Sequence, residues 1–227
     1  MQKDYTEIAF ILDRSGSMSD VAPAAIAGFN EFLLAHQNTP GHARLTLVLF
    51  DDEYLVPAAS VPISEVVTLN VETYVPRNNT ALLDAIGRTI DELGERLSNL
   101  AASERPKSVI MAILTDGLEN ASEKFTWQDV AAKIRHQSDH YQWQFFFLGA
   151  NQDAIATAAK INIAARDAAT INACDFDSGA RAAARKSSSI RRHFSGAVMC
   201  ESQIFDLSAP LQQIAEEESA KKKSSGK

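Results

Sequence analysis

The chain has 227 residues, 45% of them hydrophobic, and a formal net charge of −7 at pH 7. This apolar content is enough for a packed globular core, and the acidic balance argues against a protein that binds nucleic acid through bulk positive charge. No apolar run approaches the roughly 18 residues that a membrane helix needs, and the N-terminal MQKDYTEIAF lacks the apolar stretch of a secretory signal. We therefore expect a soluble, cytoplasmic protein with no nucleic-acid or membrane partner.

Short apolar runs alternate with longer segments of helical period along the chain. The segments predicted as strands are 8–12, 43–50, 53–59, 109–114, 143–148 and 168–171. The segments predicted as helices begin at Pro23, Thr80, Thr126, Asp153 and Phe176. This alternation is typical of an α/β fold with a doubly wound, mostly parallel central sheet and helices on both faces.

Local features refine this prediction. The short turn at Asp51 and Asp52 predicts one antiparallel edge strand, and no firm element is predicted for residues 61–75. Thr126 and Asp129 form a capping-box pattern at the start of their helix. We expect one domain over residues 1–210, followed by a disordered charged tail over 211–227, because EEESAKKKSSGK is rich in charged and small residues.

Oxygen donors follow two of the predicted strands and begin one of the predicted helices. Asp13, Ser15 and Ser17 come directly after the first strand, Asp116 follows strand 109–114, and Thr80 starts a helix. In a parallel sheet these loops lie at one edge, where open α/β sheets bind ligands. Oxygen donors alone suit Mg²⁺, Mn²⁺ or Ca²⁺ rather than zinc. We therefore predict a Mg²⁺ site, with Mn²⁺ or Ca²⁺ as alternatives, at which an outside carboxylate completes the coordination.

These residues give the chain a resemblance to von Willebrand factor A (VWA) domains. The metal-ion-dependent adhesion site (MIDAS) of that family reads D-x-S-x-S, then a distant Thr, then an Asp within T-D-G. The matching segments are DRSGS from Asp13, NNTALLDAI with Thr80, and LTDG with Asp116. The resemblance implies a Rossmann-like fold, five metal-binding residues and a protein ligand that presents Asp or Glu. One departure is Asn79, which stands where glycine commonly precedes the threonine.

The start of the Thr80 helix and the segment FLGAN also resemble the bacterial, intracellular TerY-like VWA proteins. This resemblance implies an adaptor or regulatory component of a stress-resistance or assembly complex. Asn79, Glu119 and Asn151 are predicted to form a rim that contacts the partner, with turn formation, loop solvation and helix capping as alternatives. The basic residues of the last predicted helix indicate a solvated face or a surface for an acidic partner, and they are Arg181, Arg185, Lys186, Arg191 and Arg192.

An enzyme is the alternative to this binding module. Asp13 after a buried strand resembles the nucleophile of a metal-dependent phosphohydrolase, but Ser15 stands where such enzymes carry a second aspartate, so the general acid is missing. No phosphate-binding glycine loop follows any strand, and no histidine is linked to a serine by a recognisable motif. We therefore predict a divalent-cation-dependent protein-binding module that is not an enzyme. The sequence leaves its oligomeric state open.

Overall fold

The structure is a computed structural model that describes residues 4–150, 153–172 and 175–225. Its strands are β1 Tyr5–Asp13, β2 His42–Phe50, β3 Tyr54–Pro62, β4 Ser108–Thr115, β5 Gln144–Ala150 and β6 Ala168–Ile171. Its helices are α1 Ala22–Gln37, α2 Leu82–Ser98, α3 Trp127–Tyr141, α4 Ala154–Lys160, α5 Phe176–Ser195, α6 Glu201–Ser208 and α7 Leu211–Ser225. None of these helices is both long and apolar enough to cross a membrane.

The six strands form one sheet in the order β3-β2-β1-β4-β5-β6. All neighbouring strands are parallel except β2 and β3, which are antiparallel. The predicted doubly wound fold with one antiparallel edge strand is therefore confirmed. The strand order reverses between β1 and β4, and the carboxyl ends of these two strands lie side by side at the switch point where such sheets bind ligands.

Two apolar layers cover the sheet, and successive residues of β1 alternate between them because side chains along a strand point to opposite faces. Ile8, Phe10 and Leu12 join the layer formed with α1, α5 and α7. Ala9 and Ile11 join the layer formed with α2, α3 and α4. The burial of both faces explains why β1 reads as a continuous apolar run rather than as an alternating one.

The local sequence pattern predicted the start of helix α3 correctly but not the start of α2. The capping box at Thr126 and Asp129 is present, with the Thr126 hydroxyl accepting from the backbone N–H of Asp129 at 3.2 Å. Helix α2 instead begins at Leu82 with Ala81 as its N-cap residue, so Thr80 is not the cap. The backbone N–H groups of Leu83 and Asp84 donate to the Glu119 carboxylate and the Ser122 hydroxyl from the loop after β4.

The prediction of a disordered tail over residues 211–227 was wrong for most of that segment. Residues 211–225 form α7, and Leu211 and Ile214 are fully buried in the core. The composition of the last twelve residues did not indicate this helix, because its buried apolar residues precede the charged run. These residues lie where α7 packs against α5 and β6. Helix α6, which precedes α7, was also not predicted.

Candidate metal centre

The ends of β1 and β4 place the first and last parts of the predicted site beside each other. Asp13 is the final residue of β1. The residue before it, Leu12, pairs in register with Leu114 of β4. Asp116 follows the end of β4, so both carboxylates emerge at the carboxyl edge of the sheet. The sequence-based expectation that distant loops meet at this edge follows from the parallel pairing.

Hydrogen bonds join four of the five predicted residues. The Asp13 carboxylate accepts from the Ser15 backbone N–H at 2.7 Å and from the Thr115 hydroxyl at 2.5 Å. The hydroxyls of Ser15 and Ser17 lie 3.1 Å apart, and the Ser17 hydroxyl donates to Asp116 Oδ1 at 2.7 Å. The loop 13–17 is therefore folded so that its short oxygen-bearing side chains face the loop after β4.

Gly117 shows that the fifth residue, Thr80, belongs to the same cluster. A methyl group at the Cβ position of Gly117 would lie 2.7 Å from Thr80 Oγ1, 3.2 Å from Ser17 Oγ and 3.3 Å from Asp13 Oδ2. Oxygens from two separate segments, the loop 13–17 and Thr80, thus converge beside the loop after β4, around a point that only a residue without a side chain leaves open. The structure brings all five predicted residues together.

The electrostatics of the cluster favour a cation. Asp13 is fully buried, and burial raises the pKa of its carboxyl to about 6. Burial also raises the pKa of Asp116. The donors to these carboxylates are neutral groups: the Ser15 backbone N–H and the Thr115 hydroxyl for Asp13, and the Ser17 hydroxyl for Asp116. A nearby positive charge would stabilise the ionised form of both groups, and carboxylate and hydroxyl oxygens are ligands that hard divalent cations accept.

Two further polar residues hold the cluster in place and were not predicted. Tyr74 is buried, and its hydroxyl donates to the Asp13 backbone carbonyl at 2.5 Å. Burial raises the pKa of this hydroxyl, and the Asp13 and Asp116 carboxylates raise it further. The Asn120 backbone N–H donates to the Thr80 carbonyl at 3.1 Å, and the Thr80 backbone N–H donates to Asn120 Oδ1 at 2.9 Å. Thr115 is part of the LTDG motif and Asn120 follows it closely, so the motif could have indicated both, whereas Tyr74 lies in the segment with no predicted element.

The predicted rim residues have different outcomes. Asn79 is exposed beside Thr80, and Asn151 lies outside the described residues. The Glu119 carboxylate accepts from the backbone N–H groups of Leu83, Ala121 and Ser122 and from the Ser122 hydroxyl. These four hydrogen bonds show that the Glu119 carboxylate caps α2 and shapes the loop, and its contact with a partner stays a prediction.

Asn79 lies in the loop before Thr80, at the position where the resemblance to VWA domains leads one to expect glycine. The residue of this loop that adopts the left-handed conformation is Asn78, with φ of 56°. Asparagine tolerates this region better than most residues do. The Asn78 carbonyl accepts from Gly16 N–H at 3.0 Å, so the loop contacts the DRSGS segment directly.

The basic residues of the last predicted helix serve the fold. Arg181 and Arg185 are paired with carboxylates of α1, α5, α6 and α7. Lys186 donates to the Ala209 carbonyl at 2.6 Å, and Arg191 is 2% exposed. The two interpretations suggested by sequence, a solvated face and a surface for an acidic partner, are therefore wrong for buried Lys186 and Arg191. Arg181 and Arg185 keep 25% and 24% of their side chains exposed while they pair with carboxylates.

The fold has counterparts among solved structures, although no protein-family model and no curated protein sequence matches the chain. Proximal thread matrix protein 1 from the mussel byssus, with a zinc-occupied MIDAS motif, is 15% identical over 82% of this chain and 46% of its own, with a TM-score of 0.55. The ArnB paralog VWA2 from Sulfolobus acidocaldarius is 15% identical over 82% of this chain and 45% of its own, with a TM-score of 0.52. Manganese-loaded TRAP protein from Plasmodium vivax is 13% identical over 78% of this chain and 73% of its own, with a TM-score of 0.52.

Sheet order, strand direction and these similarities show that the chain has the Rossmann-like fold of VWA domains. This chain spans less than half the length of the mussel and Sulfolobus chains that it matches. The mussel protein holds zinc in its MIDAS motif, and the Plasmodium protein was solved loaded with manganese.

Proposed function

We propose that the chain is a divalent-cation-dependent protein-binding module, in which Asp13, Ser15, Ser17, Thr80 and Asp116 hold Mg²⁺ and a carboxylate of the partner completes the coordination. The observation that carries this proposal is the convergence of oxygens from Asp13, Ser17 and Thr80 around the open position beside Gly117. When bound, the cation would supply a Lewis-acidic position for the partner's Asp or Glu.

The chain's own residues prepare this site in distinct ways. Thr115 and the Ser15 backbone N–H orient the Asp13 carboxylate, and Tyr74 holds the backbone of the same residue. Ser17 is exposed and lies beside half-buried Asp116, so a partner would reach the cluster from this side. Shape and charge in the surrounding loops would provide the specificity.

The phosphohydrolase alternative is not favoured by the placement of Asp13. A nucleophilic carboxylate must have an oxygen that reaches substrate. Asp13 is 0% exposed, and its two carboxylate oxygens accept hydrogen bonds from the Ser15 backbone N–H and from the hydroxyl of Thr115 at the end of β4. This arrangement suits an inner ligand of a cation better than a nucleophile.

We further propose, from the resemblance to TerY-like proteins, that the module is a bacterial, cytoplasmic adaptor in a stress-resistance or assembly complex. Mg²⁺ is the proposed physiological metal because the donor set is oxygen alone. The zinc and manganese in the two solved neighbours make these metals necessary comparisons in any binding experiment.

The experiment that tests the function measures metal binding first and partner binding second. Calorimetric titration with Mg²⁺, Mn²⁺ and Zn²⁺ should show one site in the natural chain and none in Asp13→Ala. Ser17→Ala serves as a second variant, because exposed Ser17 can be truncated without disturbing the core. Affinity capture with Mg²⁺, with EDTA and with Asp13→Ala should then retain a partner only in the first condition. Absence of metal binding, or partners common to all three conditions, would refute the proposal.

A further inference from the structure

The turn between β2 and β3 contains a buried carboxylate that the proposed metal site does not include. Asp51 is 0% exposed and follows Phe50, which pairs in register with Asp13. Its Oδ1 accepts from the Glu53 backbone N–H at 2.6 Å. Its Oδ2 lies 2.7 Å from Arg77 Nε and 3.2 Å from an Arg14 guanidinium nitrogen. A simple hairpin turn does not require a buried charge with three donors.

The two arginines belong to the two loops that carry four of the proposed metal ligands. Arg14 lies between Asp13 and Ser15 and is 7% exposed, so it is a buried part of the DRSGS segment. Arg77 lies in the loop that leads to Thr80, and its backbone N–H donates to the Arg14 carbonyl at 2.8 Å. The Asp51 carboxylate therefore bridges one loop to the other at the points where each approaches the centre.

Backbone contacts of the same turn extend this bridge past Thr80. The Asp51 carbonyl accepts from the Ala81 backbone N–H at 2.9 Å. Asp51 thus contacts the chain on both sides of Thr80, through Arg77 before it and Ala81 after it. The neighbouring Asp52 differs, because it is exposed and its carboxylate accepts from the Asn78 side chain at 2.9 Å.

Charge balance makes Asp51 essential to this arrangement. Arg14 and Arg77 contribute two positive charges, and Asp51 and Glu53 contribute two negative ones. Glu53 is the exposed member, with 56% of its side chain accessible, whereas Asp51 is completely enclosed. Removal of one member of a buried pair leaves the other charge without compensation, so loss of the Asp51 charge would release the Arg14 side chain from the DRSGS segment.

We infer that Asp51 is a positioning residue of the metal centre, which holds loops 13–17 and 77–81 at the separation at which their oxygens face one cation. The inference rests on the proposed function. Asp51 contacts neither the cation nor the partner, and it acts through Arg14, Arg77 and Ala81. Substitution of groups that orient metal ligands typically weakens metal affinity by about 10- to 100-fold.

The test compares Asp51→Asn with the matched control Asp52→Asn in Mn²⁺ titrations, followed by calorimetry and by electron paramagnetic resonance of free Mn²⁺. The amide keeps the shape of Asp51 and an acceptor for Glu53 N–H but removes the charge. We expect Asp51→Asn to bind Mn²⁺ at least ~10-fold more weakly and Asp52→Asn to bind as the natural chain does. Circular dichroism with thermal melting, recorded without metal, reports the fold of each variant separately.

Arg77→Gln provides a second test of the bridge. The Arg77 side chain is 38% exposed, so its charge can be removed with little risk to folding. If the bridge acts as one unit, the loss of affinity in Asp51→Asn/Arg77→Gln is smaller than the product of the two single losses. A purely structural Asp51 would lower the melting temperature and leave the Mn²⁺ affinity of the folded variant unchanged, and that result would overturn the inference. No Mn²⁺ binding by the natural chain would instead refute the proposed function, and the inference with it.

Discussion

Asp13 is the more deeply buried of the two carboxylates in the candidate centre. Its carboxylate is fully buried, and burial raises its pKa to about 6. Between about pH 4 and pH 6 the folded, metal-free chain therefore holds a proton that the unfolded chain has released. The contribution of Asp13 to the free energy of unfolding falls as the pH rises through this window. A bound cation would offset this loss, because it stabilises the ionised carboxylate.

The raised pKa of Asp13 leads to a prediction about how the effect of Mg²⁺ on stability depends on pH. Saturating Mg²⁺ should raise the melting temperature more at pH 7 than at pH 5, since at pH 5 a proton competes with the cation for Asp13. Differential scanning calorimetry at both values, with and without Mg²⁺, checks the expectation. Asp13→Asn should show no Mg²⁺ effect at either pH. An equal shift at the two pH values would contradict the role of Asp13.

Gly117 offers a steric test of the same cluster. In Gly117→Ala the new methyl group would lie 2.7 Å from Thr80 Oγ1, within the space on which the oxygens converge. We expect Mn²⁺ affinity to fall by about tenfold or more, by analogy with other disturbances of ligand orientation, as measured by calorimetric titration. Gly94→Ala is the matched control, because its methyl group would have only the Gln137 side chain nearby, at 3.5 Å. Unchanged affinity in Gly117→Ala would show that the cation lies elsewhere.

At the scale of elements, a buried polar junction joins α1 to α5. Arg191 donates to His36 Nδ1 at 2.9 Å and to the His36 carbonyl at 2.8 Å. Because arginine has no acceptor, His36 is neutral, with its proton on Nε2 directed to Ser187 Oγ at 2.8 Å. Burial and the Arg191 charge hold the pKa of His36 well below 6.5, and burial lowers the pKa of Arg191 to about 10. The junction thus depends on an uncharged histidine.

The junction predicts acid sensitivity. Below about pH 6.5 the unfolded chain binds a proton at His36 and the folded chain does not, so stability is lost as the pH falls. The contribution is at most about 1.4 kcal/mol for each pH unit. Chemical denaturation from pH 7 to pH 5 should show a smaller pH dependence in His36→Gln than in the natural chain. Exposed His140→Gln is the control and should keep the full dependence; equal slopes in all three chains would refute the assignment.

At the scale of the whole molecule, the C-terminal helix completes one of the two apolar layers. Leu211 and Ile214 of α7 are fully buried, and Glu217 and Glu218 pair with Arg185 of α5. The segment therefore contributes apolar burial and charge compensation to α5, although its composition resembles that of a solvated tail. Helix α7 packs against both α5 and β6, so it stabilises this layer directly.

Loss of apolar volume in α7 should destabilise the whole chain. Ile214→Ala removes a fully buried side chain, and such truncations cost about 2–5 kcal/mol. Urea denaturation followed by circular dichroism measures the change in the free energy of unfolding. Lys223→Ala, at an exposed position of the same helix, should change it by less than about 0.5 kcal/mol. A neutral Ile214→Ala would indicate that α7 is detached in solution.

Local sequence pattern determined a large part of this protein. Apolar runs mark strands because buried strands have no polar face, and the Thr126–Asp129 capping box is built from residues three positions apart. The motifs around Asp13 and Asp116 could be identified because each ends a strand, and parallel pairing brings such ends to one edge.

Only the tertiary structure decided which distant groups meet. The hydrogen bonds that join Arg14 to Asp51 and His36 to Arg191 cross 37 and 155 positions of the chain, and no local period encodes such partners. The same reason explains why Glu119 caps α2, why basic residues of α5 pair with carboxylates of neighbouring helices, and why α7 is ordered. Local pattern specifies which face of an element is apolar, but the pairing of buried charges depends on how the packed elements approach one another.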